Sequence, residues 1–204
     1  MVSIRVYVEG GGDTQTVRTK CREGFSKFFQ ESGLEGRMPR VVACGTRHDA
    51  YDRFCTALEQ ARPNDFPILL VDSEAPIAVG TSPWEHLKNR EGDNWDRPRA
   101  AADEHAHLMV QCMEAWFLAD QESLTRFFGQ GFSAGALPSR TDIENISKDD
   151  LYRGLADATR LCPTKGEYRK GKQSFEILAL ISPQMVCQAS PFANRLVQTL
   201  LQKA

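Results

Sequence analysis

The feature that most constrains the fold is an uninterrupted apolar run at residues 66–71, FPILLV, which ends on Asp72. A strand with one face in water alternates apolar and polar residues, whereas a strand that is apolar throughout is typical of a sheet covered by helices on both faces. Such sheets are mostly parallel. The run therefore predicts an α/β fold built around a buried central strand.

Segments with strand and helix patterns alternate around this run. Residues 4–8 alternate with the period of a strand, a glycine-rich loop follows, and apolar positions then recur at helical spacing. Residues 41–44 form a second short strand followed by another helical stripe, and residues 107–110 form a fourth strand. We expect a mostly parallel sheet of about four strands flanked by helices.

The pattern divides the chain into an α/β core and a helical extension. The core covers residues 1–120 and contains an irregular, polar insertion at 75–104, in which Ser82 and Glu85 form a capping box around a short helix. Residues 121–204 are expected to be a helical extension packed on the same domain. It includes a loop at 129–145, a helix from Ser147 to about Leu161, and two short helices, the last beginning at Ser190-Pro191.

Composition limits where the chain works and what it binds. It has no apolar run of membrane-spanning length and no secretory leader, and its six cysteines form no CxxC pair, which is typical of a cytosolic protein with reduced thiols. The formal net charge is -2. Binding to a nucleic acid would therefore need a local basic patch, a metal ion or a partner subunit.

Acidic residues follow three of the predicted strands. Glu9 ends the first strand, Asp72 and Glu74 end the buried third strand, and Glu114 follows the fourth. The carboxyl ends of parallel strands meet at one edge of the sheet, where functional groups collect. If the chain stays extended, Asp72 and Glu74 point to the same side, which suits Mg²⁺ or Mn²⁺. The alternative is that such acids cap helices or end strands, as Asp13 is placed to do.

The acidic pattern resembles a known family. Glu9-Gly10-Gly11-Gly12-Asp13 after the first strand, with an acidic pair after a later apolar strand, looks like the Toprim domain of topoisomerases, bacterial primases and OLD-type nucleases. Together with the segment MEAWFLAD at residues 113–120, it resembles small stand-alone Toprim-like proteins, with the RloB-like group among their relatives. The resemblance covers about residues 1–120.

The resemblance implies roles for these residues. Glu9 would be the general acid/base, Asp72 and Glu74 would hold Mg²⁺ together with Glu9, and Glu114 would be a further ligand, with a helix-capping or core-edge role as its alternative. The usual Asp-x-Asp stands here as Asp72-Ser73-Glu74. This difference shifts the metal position or leaves the site inactive.

The implied function is a metal-dependent nuclease that cleaves DNA or RNA, with tRNA among the candidates. Genes of this kind often lie beside genes for AAA or ABC-type ATPases in bacterial defence loci, so the resemblance also implies an anti-phage effector with an ATPase partner. The alternative is a non-catalytic Toprim-like regulatory subunit of such an ATPase. Oligomeric state stays open.

Basic residues concentrate between positions 160 and 172. This segment contains five basic residues and a single acid, Glu167. Four of the basic residues are predicted to hold substrate phosphate: Lys165, Arg169, Lys170 and Lys172. The alternative is a solvated loop.

Three further patterns are weaker. The GxSxG match at residues 131–135 lacks the strand before it that a nucleophile elbow needs. The glycines at 10–12 do not complete a dinucleotide motif, because Gln15 stands where the third glycine would be. Trp84 and Trp95 lie in the insertion, where they either stack on bases or cover the sheet edge.

Overall fold

The computed structural model of the chain describes residues 2–12, 14–139 and 142–204. Its strands are β1 (Ser3–Val8), β2 (Arg40–Ala43), β3 (Asp65–Asp72) and β4 (Ala106–Met109). They form one parallel sheet in the order β2-β1-β3-β4. The predicted α/β fold with a parallel sheet flanked by helices is confirmed.

The apolar run occupies the interior of the sheet. Strand β3 pairs with β1 on one side, where Val6 faces Ile68, and with β4 on the other, where Leu70 faces His107. Ile68 and Leu70 belong to one hydrophobic cluster, while Leu69 and Val71 belong to another. Because alternate residues point to opposite faces, β3 contributes to two cores, one on each side of the sheet.

Helices cover both faces. They are α1 (Gln15–Phe29), α2 (Arg47–Glu59), α3 (Pro83–Asn89), α4 (Gln121–Phe128), α5 (Lys148–Thr159), α6 (Lys172–Leu178), α7 (Pro183–Ala189) and α8 (Pro191–Lys203). Thr14 caps α1 by accepting a hydrogen bond from the Val17 amide. Asp13, the other predicted cap, lies outside the described residues. The predicted capping box of Ser82 and Glu85 begins α3.

The carboxyl-terminal part differs from the prediction. It contains three helices after the basic stretch, α6, α7 and α8, where two were expected. The missed boundary is Ser182-Pro183, which begins α7 as Ser190-Pro191 begins α8: the serine accepts a hydrogen bond from the third helical amide and the proline occupies the first turn. The predicted loop at 129–145 also holds two 3-10 turns, Ala134–Ala136 and Ile143–Asn145.

The insertion covers one face of the sheet. Trp84 and Trp95 are buried in the same cluster as Leu69 and Val71. The indole of Trp84 donates to the Ala102 carbonyl at 3.1 Å. These rings therefore cover the sheet and are not exposed for stacking on bases.

All six cysteines are free thiols, and four of them are buried. No helix in the described part of the chain combines the length and apolar character needed to cross a bilayer.

Candidate functional site

Three carboxylates meet at the carboxyl-terminal edge of the sheet. Glu9 follows β1, Asp72 ends β3 and Glu74 lies two residues later. One oxygen from each lies within 4.8 Å of one from each of the others. Because β1 and β3 are neighbours in the sheet, their ends bring together residues that are more than sixty positions apart in sequence.

Asp72 is the most enclosed of the three carboxylates. Its side chain accepts a hydrogen bond from the Met113 amide at 2.9 Å, and Lys170 Nζ lies 3.9 Å from its other oxygen. Burial raises the pKa of Asp72 well above its usual range, and the neighbouring charges of Glu9 and Glu114 raise it further. The ionised form of this group is thus costly and favours a cation beside it.

Glu9 is held by two donors. Its Oε2 accepts hydrogen bonds from the Asp72 amide and from Arg47 Nη1, each at 3.2 Å. Burial raises the pKa of Glu9, although the charge of Arg47 and the hydrogen bond from the Asp72 amide oppose that shift. Glu9 is therefore protonated at a higher pH than an exposed glutamate would be.

Arg47 is the first residue of α2 and connects the two strand ends. Besides Glu9, it donates to the Asp72 carbonyl and to Asp93, with Nε to Asp93 Oδ1 at 2.8 Å. Its guanidinium also lies 5.1 Å from the centre of the Trp95 ring. The insertion therefore supplies Asp93 and Trp95 to fix the orientation of Arg47.

Glu74 reaches the site by a route that the sequence did not predict. The chain does not stay extended at Asp72-Ser73-Glu74, because Glu74 adopts a φ of 67°, the left-handed region that a residue with a side chain rarely adopts. Its amide donates to the Gln111 carbonyl at 2.8 Å, and its carboxylate pairs with Lys148 at 2.6 Å. Burial alone would raise the pKa of Glu74, but Lys148 lowers it below its ordinary value.

Glu114 lies behind Asp72 and is not one of the three clustered carboxylates. It is 1% exposed and belongs to the 3-10 segment Met113–Ala119 that follows β4. Tyr168 and Ser174 each donate to its Oε1 at 3.2 Å, and Tyr152 donates to its Oε2 at 3.1 Å. Burial and the charge of Glu114 raise the pKa of both tyrosines, so that they stay protonated as donors. These bonds satisfy a buried carboxylate and fix its position.

Of the four predicted phosphate-binding residues, Lys170 reaches the carboxylates. Its Nζ lies 3.9 Å from both Asp72 and Glu114. Burial alone would lower the pKa of Lys170, but the charges of Glu114 and Asp72 raise it above its ordinary value. The lysine therefore stays charged at the site.

The other three predicted residues make contacts elsewhere. Lys165 lies over the Phe127 ring at 4.2 Å, Lys172 pairs with Glu176 at 3.6 Å, and the Arg169 amide donates to the Gln173 side chain.

A cavity of about 260 Å³ opens beside Glu9, Asp72, Glu114 and Lys170. Gly10, Gly11 and Gly12 form one wall, and Met109, Met113 and Phe175 make part of the lining apolar. Gly11 has a φ of 93°, and a Cβ there would lie 3.1 Å from the Arg18 backbone. The absence of a side chain at Gly11 thus lets this loop pack closely against α1. The predicted loop residue Gly10 lines this cavity, and Asp13 lies outside the described residues.

Sequence reasoning missed Arg47, Lys148 and the three hydroxyl donors to Glu114. Arg47 was detectable, because it follows β2 at the same edge of the sheet as the acids. Lys148 and Tyr152 lie one helical turn apart on α5, which reaches the site only through tertiary packing. Neither residue type nor spacing distinguishes them from ordinary helix-surface residues.

Comparison with known proteins identifies a family for the chain. A family model described as a domain of unknown function (DUF4276) matches residues 8–201. Neither curated proteins nor solved structures gave a significant match to the chain.

Proposed function

We propose that this chain, which belongs to the DUF4276 family, is a nuclease that uses Mg²⁺ or Mn²⁺ to cleave phosphodiester bonds of DNA or RNA. The observation that carries the proposal is the convergence of Glu9, Asp72 and Glu74 to within 4.8 Å of one another. Like charges at this separation repel, so their convergence favours a site that receives a cation. The resemblance of residues 1–120 to Toprim domains supports the same chemistry and stays a prediction.

The donor set fits a hard divalent cation. All three groups offer carboxylate oxygens, which Mg²⁺ prefers, and Mg²⁺ proteins usually supply only one or two carboxylates directly. Asp72 and Glu74 would hold the ion, with Glu9 beside them. When bound, the ion would withdraw negative charge from the phosphodiester and lower the pKa of a water molecule.

Glu9 suits proton transfer. Its pKa is raised chiefly by burial, which brings the carboxylate closer to the working pH of a general acid/base. The hydrogen bonds from Arg47 and the Asp72 amide are both made to its Oε2, and they fix the carboxylate at the cavity wall. Glu9 would accept the proton of the attacking water.

Lys170 and the cavity wall suit substrate binding. The Lys170 side chain is 57% exposed and its ammonium faces the carboxylates, so it would hold a phosphate oxygen of the substrate. Met109, Met113 and Phe175 supply an apolar surface for the sugar or base beside that phosphate.

A second candidate function is a non-catalytic regulatory subunit of an ATPase. The observation that favours it is internal neutralisation, because Arg47, Lys148 and Lys170 already lie beside the three carboxylates at 3.2, 2.6 and 3.9 Å. A carboxylate cluster balanced in this way by the chain's own cations can serve as a structural network without metal.

Cleavage by purified variants tests the proposal. We expect wild-type protein to cleave single-stranded DNA, duplex DNA, tRNA or another RNA with Mg²⁺ or Mn²⁺, and Glu9→Gln and Asp72→Asn to abolish that cleavage. Glu122→Gln is the matched control, because this carboxylate lies on α4 with an 82% exposed side chain. Absence of metal-stimulated cleavage by wild-type protein on all these substrates, or full activity in Asp72→Asn, contradicts the nuclease and leaves the regulatory subunit.

A further inference from the structure

A second cavity, of about 810 Å³, lies along the free edge of the sheet and away from the carboxylates. It is bounded by β1, β2, the second half of α2 and the start of β3. Four arginines line it, one from each of β1, β2 and α2 and one from the loop before β3: Arg5, Arg40, Arg53 and Arg62. We refer to this cavity as the arginine groove.

The four arginines are exposed, and one of them, Arg53, is close enough to Asp49 for its charge to lower the pKa of that carboxyl. Within the residues that the structure describes, no carboxylate oxygen lies within 4.0 Å of any of the four guanidinium groups. The groove contains two acids, of which Asp52 lies 3.4 Å from His48 and Asp65 accepts from the Arg62 amide at 3.1 Å. Four positive and two negative charges give a local +2 in a chain of net charge -2.

The groove exists because α2 leaves part of the sheet uncovered. Helix α2 packs over β3 and β1, while Arg40 on the edge strand β2 is exposed and Val42 is partly exposed. The lining also includes Tyr7, Val42 and Phe66. What distinguishes the groove is its set of four guanidinium groups, which bind phosphate through paired hydrogen bonds.

The groove and the candidate metal site lie at opposite ends of strand β1. Arg5 precedes Glu9 by four residues along β1, which corresponds to roughly 13 Å in an extended strand. A nucleic acid bound in the groove would have to continue for at least this distance to reach Glu9.

We propose that the arginine groove, at the amino-terminal ends of the strands, binds the sugar–phosphate backbone of a nucleic acid. The statement that the anchored strand is the one cleaved rests on the proposed function. Binding in the groove does not, because it needs neither metal nor catalysis.

Fluorescence anisotropy in the presence of EDTA tests this binding. The probes are a labelled single-stranded DNA, the matching duplex and an RNA of the same sequence, each titrated over a range of salt concentrations. We expect Arg5→Gln/Arg40→Gln to bind the preferred probe about tenfold more weakly, and its salt slope to fall by about 1.4 for a single strand or 1.8 for a duplex, because two phosphate contacts are lost. Arg99→Gln/Arg126→Gln removes the same charge from exposed positions outside the groove and should bind like wild type.

A second pair of substitutions guards against misfolding. Arg53→Gln/Arg62→Gln alters the other side of the groove and should weaken binding in the same way, with the far-UV circular dichroism unchanged in both pairs. Wild-type binding by both groove variants, or equal weakening in the control, overturns the proposal.

Competition with poly-glutamate distinguishes a nucleic acid from an acidic protein as the occupant of the groove. Cleavage assays of the same variants test groove binding and the nuclease activity separately. If poly-glutamate binds as tightly as the oligonucleotides and loses affinity in the same variants, the groove serves an acidic protein and the nucleic-acid assignment is wrong. Groove-dependent binding without metal-stimulated cleavage would refute the nuclease alone. Cleavage that survives in both groove variants with unchanged KM would refute the statement that the strand held in the groove is the one cleaved.

Discussion

At the scale of single residues, Asp72 connects fold and chemistry. It is the last residue of the central strand, and its carboxylate accepts a hydrogen bond from the Met113 amide. It also lies among three other carboxylates, those of Glu9, Glu74 and Glu114. Burial is the largest reason that its pKa is raised, with the charge of Glu9 second. In the absence of metal, the ionised carboxylate therefore destabilises the native state relative to a neutral side chain of the same shape.

Asp72→Asn should stabilise the metal-free protein at neutral and alkaline pH. The pKa of Asp72 is higher in the folded state than in the unfolded state. Its contribution to the free energy of unfolding is therefore fully present below the unfolded-state pKa and is lost as the pH rises through the folded-state pKa. The variant has no such loss. Its free energy of unfolding should therefore exceed that of wild type by an amount that grows with pH, by up to about 1.4 kcal/mol for each pH unit between the two pKa values. Urea unfolding of both proteins with EDTA, from pH 4 to pH 8, measures this difference. An advantage that is constant across that range, or largest at acid pH, would contradict the raised pKa.

The acids could be predicted because their position follows from a general rule about parallel sheets, whereas their partners Lys148, Tyr168 and Ser174 could not. Glu9, Asp72 and Glu74 stand directly after strand patterns. Lys148 pairs with Glu74 across 74 residues, and Tyr168 and Ser174 reach Glu114 from the carboxyl-terminal part. Such pairings depend on how the extension packs on the sheet, which no local pattern encodes.

At the scale of secondary-structure elements, the packing of α1 on α6 holds the wall of the cavity. A Cβ added at Gly24 on α1 would lie 2.7 Å from the Phe175 carbonyl oxygen and 3.3 Å from its Cα. Phe175 lines the cavity, and its neighbour Ser174 donates to Glu114. The glycine therefore permits the close approach that places α6 at the site.

Gly24→Ala should destabilise the protein by about 1 to 3 kcal/mol, since overpacking against backbone outweighs the gain of about 1 kcal/mol in helix propensity. Chemical unfolding measures the free energy, and Gly135→Ala is the control because a Cβ there meets no heavy atom within 4 Å. Equal stability of Gly24→Ala and wild type would show that α6 moves freely away from α1.

Helices and strands were predictable where the sequence pattern is local and uniform. The apolar run at residues 66–71 predicted β3, and the capping residues Ser82, Ser147 and Ser190 predicted the starts of α3, α5 and α8. Helix α7 was missed although Ser182-Pro183 carries the same signal, because it lies in a short, weakly periodic segment. The left-handed turn at Glu74 was missed because a glutamate gives no sign of a positive φ.

At the scale of the whole molecule, strand β1 connects the two proposed sites. Glu9 follows β1 in the carboxylate cluster, where Arg47, Lys148 and Lys170 offset the acidic charge, and Arg5 lies within β1 in the arginine groove. The formal net charge of -2 gives no sign of either site. The two proposals assign the carboxylates to a cation and the groove to a polyanion, as in a metal-dependent nuclease.

The central claim is that Glu9, Asp72 and Glu74 form one site for a divalent cation. Isothermal titration calorimetry of the metal-free protein with Mn²⁺, repeated with Mg²⁺, tests it most directly. The account predicts saturable binding of metal at a single site in wild type and in Glu122→Gln, and loss of that binding in Asp72→Asn and Glu74→Gln. Absence of binding in wild type, or undiminished binding in Asp72→Asn, would contradict it.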